Sequence, residues 1–320
     1  MRIAVVGSIN MDVMASVDQL PSPGETVVAR GVQYSPGGKG ANQAVAAARA
    51  GADVWMIGAT GRDPFAQAAR DSLASAGVDI GYVVDKPWAT GLAIIEVGAD
   101  GENHIVLAAG ANGLLEPADV ARADSILTSC DMLLLQNEVP WSANQEALRI
   151  AKAAGARVLY NPAPMRKLTG EALRGVDVLV MNETEAAALI GTVPQGLDGD
   201  WSVLGSLAGI GIAIVVVTLG AQGLVCWQRG GLIRLPAFPV RAVDTTAAGD
   251  TFIGAFAAAF DERNLVRALR FGAAAAALAV TRPGAQAAVP MYSEIERMLG
   301  ADGGSPNKPA GEPNMHKHSL

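Results

Sequence analysis

The stretch WSVLGSLAGIGIAIVVVTLGAQGLVCWQ, Trp201 to Gln228, contains no charged residue. By length alone it could cross a bilayer as a helix. Its composition argues otherwise. Gly205, Gly209, Gly211, Gly220 and Gly223 interrupt it, and its densest part, Ile212 to Val217, is a run rich in β-branched residues. A glycine-interrupted helix followed by a buried strand accounts for both features and makes this stretch one unit of a parallel sheet.

Working outward, the same alternation recurs. Ile3–Val6, Asp53–Ile57, Met132–Gln136, Arg157–Tyr160, Val178–Met181 and Ile214–Thr218 read as buried strands. Helical composition fills the spaces at Asn42–Ala50, Pro64–Ala76, Ser142–Ala154, Gly170–Arg174 and Glu183–Ile190, with two alanine-rich helices at Gly249–Phe260 and Leu265–Val280. This pattern predicts an α/β fold with a doubly wound, mainly parallel sheet flanked by helices. Val13–Tyr34 and Thr90–Leu107 break the alternation. The second carries a hairpin signal around Ala99–Glu102, and both are expected to supply strands of a small β-sheet lid. One domain over 1–300 is expected. The tail, 301–320, is rich in Gly, Pro, Asn and Lys and should be disordered.

Half of the chain is apolar, and 24 basic against 31 acidic residues leave a net charge of −7. With no basic stripe, nucleic acid is not an expected partner, and no membrane span is expected either. Cys130 and Cys226 sit far apart in apolar runs and read as reduced core residues. The run Met1–Gly7 is too short for a signal peptide, so a cytoplasmic location is expected.

Chemistry concentrates in a few segments. In VDTTAAGDTF, residues 243–252, the small residues Ala247, Ala248 and Gly249 let backbone N–H groups converge at a helix start, a setting for phosphate. Asp250 in the first turn could take a proton from a hydroxyl, or could simply cap the helix. The cluster PGGKGANQ at 36–43 lacks P-loop spacing, because no Ser or Thr follows Lys39. It fits close approach to a polar ligand with Asn42 bonding hydroxyls, or an ordinary strand-to-helix turn. Asn10 and Asp12 follow the first strand, and Asn137 and Glu138 follow another, all at the sheet edge where such folds bind ligands. Asn182–Glu185 opens a helix and Thr218–Gly223 is a glycine-punctuated turn, two places where a nucleotide could rest.

Taken in order, GSINMD, PSPGET, GGKGANQAVAAARAGA, TGLA, AGAN, NPAP, NETEA, TLGAQG, VDTTAAGDTF and TRPGAQ resemble the ribokinase branch of the PfkB carbohydrate kinase family. The resemblance covers about residues 1–298. It implies an ATP-dependent sugar kinase acting on a pentose, with D-ribose favoured and phosphorylated at O5. By the same resemblance Asp250 is the base, and Ala247, Ala248 and Gly249 form the anion hole. Asn10, Asp12, Gly38, Lys39, Asn42 and Glu138 match the sugar positions, and Asn182, Thr218, Gly220, Gly223 and Gly249 the nucleotide side. Glu185 matches the acid that organises Mg²⁺ through water. Asp244 and Thr246, with carbonyls of Ala279, Arg282 and Gly284, match a K⁺ site. The chain departs from the family pattern at Ala288, often serine, and at Ala273, often larger and polar. A homodimer through paired lids is implied as well. The alternatives are a kinase for another sugar such as 2-deoxyribose, or a non-catalytic sugar-binding regulator. The regulator reading sits poorly with a chain that keeps both Asp250 and the residues ahead of it.

Overall fold

The structure, a computed structural model, describes residues 1–100, 102–166, 173–191 and 194–302. In chain order the strands are β1 (Arg2–Val6), β2 (Asn10–Ser16), β3 (Gly31–Gly37), β4 (Asp53–Thr60), β5 (Val78–Asp85), β6 (Gly91–Val97), β7 (Asn103–Ala108), β8 (Met132–Leu135), β9 (Arg157–Tyr160), β10 (Val178–Asn182), β11 (Ile214–Thr218), β12 (Leu224–Gln228) and β13 (Gly231–Leu235). The helices are α1 (Lys39–Arg49), α2 (Pro64–Ser75), α3 (Pro117–Ala121), α4 (Asp124–Leu127), α5 (Trp141–Ala153), α6 (Glu183–Ile190), α7 (Ala248–Ala258), α8 (Leu265–Ala279) and α9 (Tyr292–Asp302).

Nine strands form the main sheet in the order β13-β12-β11-β10-β9-β8-β1-β4-β5. The run from β11 to β5 is parallel, and β12 and β13 add an antiparallel edge. Both faces are apolar because both are covered. Val6, Leu133, Leu179 and Val215 point toward α5 and the 3₁₀ helix Trp201–Ile210, while Val5, Leu134, Val180 and Val216 point toward α1, α7 and α8. This is the doubly wound arrangement read from the alternation. The uncharged stretch falls where its composition placed it. Trp201, Leu204 and Leu207 are buried from the 3₁₀ helix, β11 runs inside the sheet, and β12 returns beside it. No helix among the described residues is long and apolar enough to cross a membrane.

A second sheet of four strands, in the order β3-β2-β6-β7, stands apart from the first. It is the expected lid, with two refinements. Residues 17–30 form a loop between β2 and β3, so only the ends of the first irregular segment are strand. Asn10 and Asp12 belong to β2 itself, so they lie on the lid sheet, not at the edge of the main one. β5 and the β12–β13 hairpin were not among the expected strands. Most of the expected helix Gly170–Arg174 and the tail from 303 lie outside the described residues; Leu173 and Arg174 are in a turn.

Candidate active site

α7 carries the centre of the site. Ala247 precedes it in the left-handed conformation, φ +56°, which costs a residue with a Cβ about 1 kcal/mol. The start of α7 lines a cavity of about 190 Å³, with Lys39, Asn182, Glu185, Thr218, Ala248, Gly249 and Asp250 among its walls. Within the turn Ala248 N donates to Thr245 O at 3.2 Å and Thr251 N to Ala247 O at 2.8 Å. A Cβ on Gly249 would meet open space. Asp250 is 7% exposed, and both its oxygens are engaged: Gln43 Nε2 donates to Oδ1 at 2.9 Å and Asn42 Nδ2 to Oδ2 at 3.3 Å.

The sugar positions expected from the sequence gather beside this carboxylate. α1 starts at a glycine floor: Gly38 has φ +92°, and a Cβ on Gly40 would come within 2.6 Å of Ser8 N. Only glycine lets α1 pass so close to the turn after β1. Glu138 Oε2 accepts from Ser8 Oγ at 2.5 Å and from Lys39 N at 3.1 Å, which ties the end of β8 to the start of α1. Asn10 Oδ1 accepts from Asn112 Nδ2 at 2.7 Å, and Asn112 also clasps both backbone groups of Ile9. Asp12 lies on the same strand face as Asn10, against Gly37.

The charges are unbalanced. Burial, then the negative charges of Glu138 and Asp250, push the Asp12 carboxyl up to about 7. Lys39 is the one cation among the residues lining the cavity, and the Asp250 charge, outweighing burial, holds its ammonium above the ordinary value.

On the other side of the cavity Asn182 caps α6. Its side chain accepts from Glu185 N at 2.8 Å, and Glu185 Oε2 accepts from Asn182 N at 3.0 Å. Thr218 ends β11 next to it. Gly220 and Gly223 do not line the cavity. Gly223 is pressed against the end of β13, where a Cβ would lie 2.0 Å from Leu235 O.

Asp244, Thr246 and Gly284 do come together. Thr246 N donates to Asp244 Oδ1 at 2.9 Å and Gly284 N to Oδ2 at 2.8 Å. Burial opposes the Asp244 charge, but these hydrogen bonds prevail and hold the carboxyl below its ordinary range. Ala279 O already accepts from Arg282 N at 3.0 Å, and the Arg282 side chain pairs with Glu294.

Sequence reading passed over Gln43, Gln136, Asn161, Asn112 and Ser8, which are the buried polar side chains supporting those named above. Their signal was present: each is a polar residue inside a run of small or apolar ones, several within the quoted motifs.

The model for the pfkB family carbohydrate kinases matches residues 1–291. The chain is 40% identical over 299 residues to the ribokinase of Haemophilus influenzae, spanning 93% of this chain and 98% of that one. It is 37% identical over 302 residues to the deoxyribokinase of Salmonella typhi, spanning 93% and 99%. The structure of Arabidopsis thaliana ribokinase complexed with ribose and ATP superposes with a TM-score of 0.85 at 32% identity, covering 93% of this chain and 98% of that one. With the family model matched over nearly its whole length and relatives this similar along almost all of both chains, this chain belongs to the PfkB family of carbohydrate kinases.

Proposed function

We propose that this carbohydrate kinase transfers the γ-phosphoryl group of Mg-ATP to O5 of D-ribose. The observation that carries the reading is Asp250, a buried carboxylate in the first turn of α7 that lines the cavity together with Ala247, Ala248, Gly249 and Lys39. In this reading Asp250 accepts the proton of the sugar hydroxyl. The N–H groups after Ala247, with Lys39, stabilise the charge on the moving phosphoryl group, the dominant need in this chemistry. Asn10, Asp12, Asn42 and Glu138 hold the ring hydroxyls, and Asn42 Oδ1 is buried without a partner among the described residues, free to accept one. Asn182 and Thr218 flank the nucleotide.

Mg²⁺ bound with the nucleotide neutralises phosphate charge. The residues fit such an ion: Glu185 lines the cavity, while no group of three or more His, Cys, Asp or Glu forms a cage among the described residues. Ions carried by substrate phosphates need no cage. The Asp244 carboxylate, held ionised, suits a K⁺ ion beside Thr246 and the carbonyls of Ala279, Arg282 and Gly284. Ala288 is buried and offers a methyl where relatives of this type often carry a hydroxyl.

The lid sheet exposes an apolar row: Tyr34, Val13, Ile94 and Val106 are in register, and Tyr34 and Val106 are 61% and 62% exposed. This row supports a homodimer through the lids.

A second reading, phosphorylation of 2-deoxyribose, is favoured by the deoxyribokinase relative. An ADP-release assay with ribose, 2-deoxyribose, fructose and adenosine, with and without K⁺, separates the two. Ribose-selective turnover is expected. Selectivity for 2-deoxyribose would replace ribose, and no turnover on any acceptor would remove the kinase assignment. Asp250→Asn should lower kcat by ~10²–10⁴ while sugar affinity persists; turnover near wild type would dismiss it as the base.

A further inference from the structure

Gln43 is fully buried on α1, and no part of the reaction described so far uses it. Its amide nitrogen lies 2.9 Å from Asp250 Oδ1 and 3.5 Å from Asn161 Oδ1, and its oxygen accepts from Gln136 Nε2 at 2.7 Å. These contacts join the end of β8, the end of β9, α1 and α7. Their polarity is not free. Asn161 Nδ2 donates to the backbone carbonyl of Val180 at 3.0 Å, an acceptor that cannot reverse. The Asn161 oxygen must therefore face Gln43 and needs a donor. A flipped Gln43 amide would set oxygen against the oxygens of Asn161 and Asp250, and would face the Gln136 N–H with its own.

We propose that Gln43, aligned by Gln136 and Asn161, is a positioning residue that determines which oxygen of Asp250 meets the sugar. The proposal rests on the reading of Asp250 as the base. Oδ1 is bound by the short Gln43 contact. Among the described residues Oδ2 has only the longer contact from Asn42 Nδ2 at 3.3 Å and keeps accepting capacity, and the oxygen of that same Asn42 amide is buried without a partner. The proton of the attacking hydroxyl thus moves to Oδ2: the O–H bond breaks, its electron pair forms the new O–P bond, and ADP leaves with the electrons of the old one. Lys39 and Asp12 are charged groups that interact with Asp250, and neither holds a hydrogen bond to it among the described residues. The amide relay is what sets the carboxylate's rotation.

Steady-state kinetics of Gln43→Met and Gln136→Met, with D-ribose and 2-deoxyribose as acceptors, test this. Gln43→Met keeps the length of the side chain and removes the donor. Its kcat should fall about tenfold to a hundredfold, with KM for sugar and ATP within about threefold, because misplacing a reacting group slows the step without weakening binding. Gln136→Met should give a smaller kcat loss of the same kind, and the double variant should be no slower than Gln43→Met, since both act through one amide. Gln43→Glu, which turns an anion toward Asp250, should be slower than Gln43→Met. A kcat for Gln43→Met within about twofold of wild type, or a loss seen wholly in KM, overturns the proposal. If thermal denaturation shows that Gln43→Met does not fold, Gln136→Met decides by the same criteria. Asp250→Asn, assayed alongside, separates the two claims: an active Asp250→Asn removes the base, whereas an inactive one with an unimpaired Gln43→Met removes only the positioning role.

Discussion

Asp12, proposed above to hold a sugar hydroxyl, shows how such a role sets binding against stability. With its carboxyl pushed up to about 7 by burial and by Glu138 and Asp250, it holds its proton longer in the folded chain than in the unfolded one. The penalty for ionising it is therefore absent below about pH 4, grows as pH rises, and is complete above about pH 7, where it amounts to about 4 kcal/mol. Asp12→Asn removes the charge and keeps the shape. Its melting temperature should draw ahead of wild type between pH 5 and pH 8, while KM for the sugar rises. A gap that stays constant over that range would show that Asp12 ionises in the folded chain as it does in the unfolded one. Ala247 carries a cost of the same kind on the backbone, where a left-handed residue with a Cβ sits at the start of the helix that lines the cavity.

At the level of elements, the contact between α1 and α7 decides the site. α1 brings Asn42 and Gln43, α7 brings Asp250, and the helices meet where a Cβ on Gly254 would lie 2.4 Å from Gln43 O and 2.5 Å from Ala46 Cβ. Gly254 sits one turn after Asp250 on α7, so its missing side chain sets how near the carboxylate comes to its amides. Gly254→Ala should destabilise the fold by about 1–3 kcal/mol, as overpacked cores do, and lower kcat although nothing in the cleft has changed. The denaturant midpoint and kcat measure both effects; an unchanged midpoint would mean that the helices part without cost. Gly249→Ala provides the contrast on the same helix, since its Cβ meets open space and should leave the midpoint nearly unmoved.

For the whole molecule, the division into two sheets matters most. The main sheet is covered by helices on both faces, whereas β7 is exposed along its whole length and the row Tyr34, Val13, Ile94, Val106 has only partial cover from Phe65, stacked 5.8 Å from Tyr34. Apolar rows of that kind on a lid are places where another chain docks. Sedimentation of the wild type should show a dimer and Val106→Lys a monomer at the same concentration. A wild type that sediments as a monomer would leave the lid's apolar row for another partner. Closure of the lid over the sugar would exclude water from the phosphoryl group, and a dimer through the lids would couple the two clefts.

The sequence by itself determined the class of fold and the chain order of its parts. Local composition is enough for that: β-branched runs between helical segments can be satisfied only inside a sheet covered on both faces, and Arg157–Tyr160, Ile214–Thr218 and Glu183–Ile190 lie within the bounds read from residue type alone. The motifs likewise brought Asp250, Lys39, Asn42 and Glu138 into view. What the tertiary structure alone decided was partnership across distance. β5 and β13 are the two edges of the main sheet and β12 is the strand next to one of them; their pairing depends on neighbours and not on a strong local pattern. Asn10 and Asp12 changed sheets because the turn after β1 crosses to the lid. Gln43, Gln136 and Asn161 carry no weight until folding brings residues up to 207 positions apart within hydrogen-bonding distance. A buried amide has a meaning only through the group it faces, and the linear order of the chain does not contain that geometry.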